Sequence, residues 1–138
     1  MKHCSKCDTD KDDTEFYSKV VKGKVKEDKW CKECHRAYRR EHYKQNRRVY
    51  IDKARRNNDK SNDWYREYKS QLKCKTCGED HPAALDFHHP DPTRKEFLVS
   101  KAVRRFGRKR LKEEIEKCEV LCARCHRIHH WNEQQKSL

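Results

Sequence analysis

Eight of the nine cysteines fall in four C-x-x-C pairs: Cys4/Cys7, Cys31/Cys34, Cys74/Cys77 and Cys122/Cys125. Only Cys118 stands apart. Two thiolates three residues apart turn onto one face of a tight knuckle, and two such knuckles complete a tetrahedral Cys4 zinc site. Four knuckles therefore predict two structural Zn²⁺ ions; redox pairs are the competing reading. The opening residues Met1-Lys-His-Cys-Ser-Lys-Cys7 contain no apolar core of a secretory signal. No apolar run approaches the roughly 18 residues that a membrane helix needs, so no membrane partner is expected. A cytoplasmic, reducing setting follows as an expectation, and it favours zinc over disulfides. In chain order, the first two pairs enclose 23 residues and the last two enclose 44. An interleaved pairing would entangle segments of very different composition.

Metal is needed because the rest of the composition is poor in core. Of 138 residues, 33% are hydrophobic and 43% charged, which argues against one large apolar core. Zinc binding contributes folding free energy directly, so a small core suffices. The net charge of +13 is uneven. Residues 1–34 hold nine Lys against eight acids, residues 35–73 hold 13 Lys/Arg against five acids, and the remaining +4 lies in 74–138.

These regions predict a small, zinc-stabilised α+β chain. The N-terminal zinc ribbon (1–34) has a hairpin through Phe16, Tyr17, Val20 and Val21, a turn at Lys22-Gly23-Lys24, then Val25 and Trp30. An extended basic helical arm (35–73) is free of Gly and Pro, and its Asn57–Asn62 run reads as an interruption. Ser61 or Asn62 would then cap a second helix. In the C-terminal module (74–138), Ala83–His88 and Glu119–Leu121 read as strands. Ser100 reads as the cap of a helix over 101–106. Arg108–Lys117 reads as a helix with Leu111 and Ile115 inward, and Cys125 to about Glu133 as the last helix.

The histidines gather near the second zinc pair. His88 and His89 end a strand, while His126 and His130 lie four residues apart on one helix face. A Cys4 site stapling that helix beside the Cys74 knuckle would bring the two pairs together. Three imidazoles make a metal centre with open positions, and a fourth suits a general base.

Cys74-Lys-Thr-Cys77, Leu85-Asp-Phe-His-His89-Pro90 and Leu121-Cys-Ala-Arg-Cys-His-Arg-Ile-His-His130 resemble, in order and spacing, the zinc-stapled branch of the HNH (ββα-metal) endonuclease family. The resemblance covers about half the chain. Residues 1–70 more distantly resemble the zinc-ribbon and basic-arm extension of small phage-type HNH nucleases. The resemblance implies a C-terminal ββα-metal module with its Cys4 zinc. By position, His89 is the general base, while His88, His126 and His130 hold the catalytic metal, with His129 a weaker candidate. Asp86 shares the strand face of His88 and would orient a ligand or an arginine. Lys117 stands where the family has an Asn that orients the base. Cys118 is its neighbour, and a backbone carbonyl near Lys117 would have to serve instead.

The implied activity is hydrolysis of DNA phosphodiester bonds with Mg²⁺ or another divalent ion, leaving 5′-phosphate and 3′-hydroxyl ends. The implied partner is double-stranded DNA. The basic side chains expected to grip it are Arg36, Arg39, Arg40, Lys44, Arg47, Arg48, Arg55 and Arg56 in the arm, and Arg104, Arg105, Arg108, Lys109 and Arg110 in the module. One site nicks one strand, and a homodimer would supply two. A homing site, a packaging-related site and loosely specific duplex DNA are all compatible targets, as is a phage packaging or replication partner, in the host bacterial cytoplasm if the chain is phage-encoded. The alternative is a non-catalytic zinc-ribbon DNA-binding protein or regulator. His3, His35, His42 and His81 read as surface or knuckle-adjacent residues.

Overall fold

The computed structural model describes residues 1–137; residue 138, the end of the expected 74–138 module, lies outside the described residues. The fold is α+β with two Cys4 clusters that could hold zinc, and the chain divides into two units, Met1–Lys53 and a second from Ala54 onward.

In the first unit, β1 (Lys2–Cys4) and β2 (Thr9–Lys11) pair antiparallel about the first knuckle. The knuckle closes when the Asp8 N–H donates to the Cys4 carbonyl at 2.9 Å, with Asp8 at φ 57°. A 3-10 turn at Asp13–Glu15, capped by the Asp12 carboxylate, leads into the hairpin of β3 (Phe16–Val21) and β4 (Lys24–Cys31). Lys22 and Gly23 form its two-residue loop at φ 50° and 73°, the geometry whose twist suits a hairpin. Phe16 lies opposite Cys31 and is buried with Cys4 and Cys31, while Trp30 and Cys34 pack against them. Cys31 is the N-cap of α1 (Lys32–Gln45).

The basic segment is helical but breaks earlier than expected. α1 ends at Asn46, whose backbone N–H and side-chain amide both donate to the His42 carbonyl (3.0 and 2.8 Å). From there α2 (Arg47–Ser70) runs unbroken through 57–62, so the expected interruption and the Ser61 or Asn62 cap are corrected. Asn and Asp are only weak helix formers, and six of them or similar residues do not stop a helix without Gly or Pro.

The second unit repeats the plan of the first. Its knuckle closes with the Gly78 N–H on the Cys74 carbonyl at 3.0 Å, with Gly78 at φ 79°. A 3-10 turn at Pro82–Ala84, capped by the His81 ring, leads into β5 (Leu85–His88). Pro82 fits this turn, which is why the strand begins at Leu85 rather than Ala83. β6 (Glu119–Cys122) pairs with it antiparallel, placing Leu85 opposite Cys122 as Phe16 lies opposite Cys31. Cys122 then N-caps the last helix, α5, as Cys31 caps α1. Both helices open with the same string, Cys-x-x-Cys-His-Arg. Leu85, Leu121, Cys74 and Cys122 form the small core, with Leu72 and Val120 against it.

Between β5 and β6 lie α3 (Val99–Ala102) and α4 (Arg108–Ile115). Leu98, not Ser100, is the N-cap residue of α3, so the expected Ser100 cap is corrected; Ser100 sits within the helix. α4 buries Leu111 and Ile115, as their spacing predicts, and also Glu114. The last helix, α5 (Ala123–Lys136), begins two residues before Cys125. No helix among the described residues is long and apolar enough to cross a membrane.

Candidate metal centre

Each Cys4 cluster has tetrahedral dimensions. A zinc–sulfur bond of about 2.3 Å gives S···S edges of roughly 3.8 Å. The observed pairs are Cys4/Cys34 at 3.8 Å, Cys7/Cys31 at 4.0 Å and Cys77/Cys122 at 3.6 Å, with every cysteine free of disulfide. Backbone amides already point at the sulfurs: Cys31 N–H donates to Cys4 Sγ at 3.2 Å and Cys125 N–H to Cys122 Sγ at 3.4 Å. Burial pushes the Cys4 and Cys74 thiols up, but such amide donors outweigh it and hold both at about 6. Thiolates stabilised this way are the form that binds zinc. The residues present therefore fit two structural zinc ions, paired in chain order.

A third cluster joins β5 to α5. His88, His126 and His130 bring ring nitrogens within 4.8 Å of one another. His126 Nε2 is 3.1 Å from His88 Nδ1 and 3.1 Å from His130 Nε2. Two carboxylates fix the tautomers. His126 Nδ1 lies 3.2 Å from Asp86 Oδ2, and His130 Nδ1 lies 3.1 Å from Glu133 Oε2. A carboxylate only accepts, so each Nδ1 carries the proton and each Nε2 is turned toward the centre of the cluster. The two Nε2 atoms stand 3.1 Å apart, a spacing at which one cation can take both as ligands. Metal–nitrogen bonds of about 2.0–2.1 Å give N···N edges of roughly 2.9–3.4 Å, which these distances match.

His88 is buried, and its Nε2 has no partner. Burial, and after it the nearby His129, His126 and His130, push its pKa below the ordinary imidazole value. That favours the neutral ring a metal requires. His129 lies outside this cluster of ring nitrogens; its Nε2 is 3.2 Å from Glu133, and its ring centroid is 4.6 Å from that of His88. Asp86 is the carboxylate against His126. Glu133 is the one against His130 and was not anticipated.

His89 turns to a different partner from the one expected. Its Nε2 lies 2.8 Å from Glu114 Oε1, and the two side chains are 6% and 1% exposed. The expected backbone carbonyl near Lys117 is replaced by this carboxylate. The Glu96 N–H also donates to Glu114 Oε1 at 2.9 Å, and Lys117 Nζ donates to Oε2 at 2.7 Å. Burial alone would push Glu114 up; Lys117, the Glu96 amide and His89 overcome it and hold the carboxyl at about 2. As an acceptor, the ionised Glu114 fixes the proton on His89 Nε2, leaving Nδ1 free to take another. Lys117 further reaches Glu96 Oε1 and the Arg94 carbonyl, both at 3.2 Å. Cys118, half-buried, donates to the Glu114 carbonyl at 3.4 Å, and burial pushes its thiol up to about 11.

All 13 basic residues expected to meet DNA are exposed. Several have local partners: Arg48 bonds Asp52 at 3.2 Å, Arg104 bonds Asn62 at 3.3 Å, and Arg110 lies 4.0 Å from the Phe106 ring centroid. The remaining histidines hold structure. His3 spans Asp8 and Asp10, each at 3.1 Å, and His81 accepts from the Ala83 N–H at 3.2 Å. Comparison of the chain with models of known protein families, with curated proteins and with solved structures gives no match.

Proposed function

We propose that this protein is a metal-dependent DNA endonuclease of the HNH (ββα-metal) kind, with β5, β6 and α5 as its ββα-metal module. The observation that carries the reading is the convergence of the His88, His126 and His130 ring nitrogens, next to a strand end whose following residue, His89, is buried against Glu114 of α4. A cation site and a carboxylate-oriented imidazole on consecutive residues of one strand end are what water activation on a phosphodiester requires.

His88, His126 and His130 would hold the ion, which supplies positive charge to the phosphate and to the leaving 3′ oxygen. Three imidazoles favour a borderline transition ion over Mg²⁺. His89 accepts the proton of the attacking water at Nδ1. Glu114, bonded to Nε2–H, keeps the ring in the competent tautomer and stabilises the imidazolium that forms. Water oxygen bonds to phosphorus as the bond to the 3′ oxygen breaks, and the 3′ oxygen takes its proton from solvent. The products are a 5′-phosphate and a 3′-hydroxyl. Asp86 and Glu133 hold the two helix-borne rings in register. The exposed arginines and lysines supply phosphate contacts on duplex DNA.

The test is plasmid nicking by the purified, zinc-loaded chain with Mg²⁺, Mn²⁺ or Ni²⁺ added. His89→Ala should cut at least about 100-fold more slowly while binding duplex DNA as before. Equal cleavage by His89→Ala would remove the base assignment. Tight DNA binding with no cleavage in any ion would leave a zinc-stabilised DNA-binding protein.

A further inference from the structure

The two units share a scaffold, and the first lacks the chemistry of the second. Counted from the last cysteine of each cluster, His126, His129 and His130 correspond to His35, Tyr38 and Arg39. β3 carries no histidine where β5 carries His88. His35 Nε2 lies 3.0 Å from Asp28, and its ring packs at 5.4 Å from Trp30. The face that gathers imidazoles in one copy thus gathers aromatic rings and a guanidinium in the other.

Those rings form a continuous line. Trp30 meets Tyr38 at 5.7 Å, Tyr38 meets His42 at 5.8 Å, His42 meets Tyr50 at 5.9 Å, and Tyr50 meets Tyr43 at 5.4 Å. The packing is tilted or edge-on, and it leaves much of each ring open: Tyr38, Tyr43 and Tyr50 are 52%, 47% and 44% exposed. Burying so little apolar area, the tyrosines stabilise the unit weakly. Cations are dense in the same stretch of chain. Arg39 lies 5.8 Å from the Tyr17 ring centroid, and residues 35–53 carry seven basic side chains against two acidic ones.

We infer that this strip of the first unit, Trp30 through Tyr43 and Tyr50 with its flanking arginines, is a binding surface for single-stranded nucleic acid. Flat exposed rings alternating with positive charge complement a ligand with flat apolar faces on a regularly charged anionic backbone. A duplex hides its base faces against one another, so rings aligned along a helix stack only on unpaired bases. None of these rings belongs to the metal centre or to the side chains assigned to duplex phosphate; the flanking arginines are shared between the two readings, so the rings alone carry the preference for single strands.

The experiment is fluorescence anisotropy with the full-length, zinc-loaded chain, without added divalent ion. The probes are a labelled oligo(dT) of about 12 nucleotides and a duplex of equal length. The single strand should bind more tightly than the duplex. Tyr38→Ala with Tyr50→Ala should weaken oligo(dT) binding at least about tenfold, whereas the paired Tyr→Phe changes keep it within about twofold. Zinc content and circular dichroism check the fold of each variant. Should the alanine pair unfold, Tyr43→Ala decides, with an expected loss of about fivefold or more. Tighter binding of the duplex, or full oligo(dT) affinity in the alanine variants, overturns the inference. A chain that binds single strands in this way but never nicks plasmid would remove the nuclease reading alone.

Discussion

Glu114 draws its donors from three places: His89 at a strand end, the Glu96 amide in a loop, and Lys117 just past its own helix. The sequence reading missed it because Lys112-Glu113-Glu114-Ile115-Glu116 looks like a solvated charged face. The signal was present in the spacing: Glu114 follows Leu111 by three residues and so shares the inward face with Ile115. By contrast, the gathering of His88, His126 and His130 was legible, because helical spacing beside a zinc-knuckle cysteine puts His126 and His130 on one face toward the strand end. Lys117 can be tested directly. The Glu114 carboxylate, and then Glu96, hold its ammonium above the ordinary 10.5. A raised pKa contributes stability that is complete below the unfolded value and is lost as pH rises through the folded one. Lys117→Met should therefore lower the melting temperature at pH 8–9, and its gap from the wild type should close as pH passes 10.5. Thermal melts across that range measure it, and a gap independent of pH would show that the ammonium adds nothing.

The secondary-structure elements were legible in proportion to how local their causes are. The hairpin turn at Lys22-Gly23 and the burial of Leu111 and Ile115 follow from neighbouring residues. The continuity of α2 through 57–62 does not. Polar residues with cap preferences suggested a boundary there, while the observed one falls at Asn46, at φ −114° and ψ 18°, whose side-chain amide and backbone N–H both cap the His42 carbonyl. Helical continuity makes a simple prediction at Asn57, which is exposed. Replacing it with alanine should stabilise the chain by about 0.5 kcal/mol, since alanine is the better helix former. A loss of helical circular dichroism or of melting temperature would instead place a boundary at this position.

Among the described residues, each unit has a buried cluster built around cysteine sulfur, and α3 and α4 bury Val99, Ala102, Leu111 and Ile115 besides. The pairing of knuckles in chain order was readable from spacing alone. That the two clusters sit in repeated scaffolds was signalled only by Cys-x-x-Cys-His-Arg recurring at 31–36 and 122–127; the rest of the repeat resides in strand register and capping. Metal analysis should find two zinc ions per chain. Cys34→Ser should retain about one and unfold the first unit, leaving the second protected from proteolysis, and Cys122→Ser should do the reverse. Retention of both ions in either variant would contradict the Cys4 assignment.

The placement of Cys31 and Cys122 at helix N-caps carries an electrostatic consequence. A dication held by four thiolates has a formal charge of −2, and each such group would sit at the positive end of a helix dipole. Taking up two metal cations would therefore make the protein less basic, moving its formal charge from +13 to about +9. The negative increment would be confined to two points, each partly neutralised by the helix it starts. The exposed arginines further along α1 and α2 would keep their positive field, so folding around zinc need not weaken the attraction that a basic surface has for phosphate.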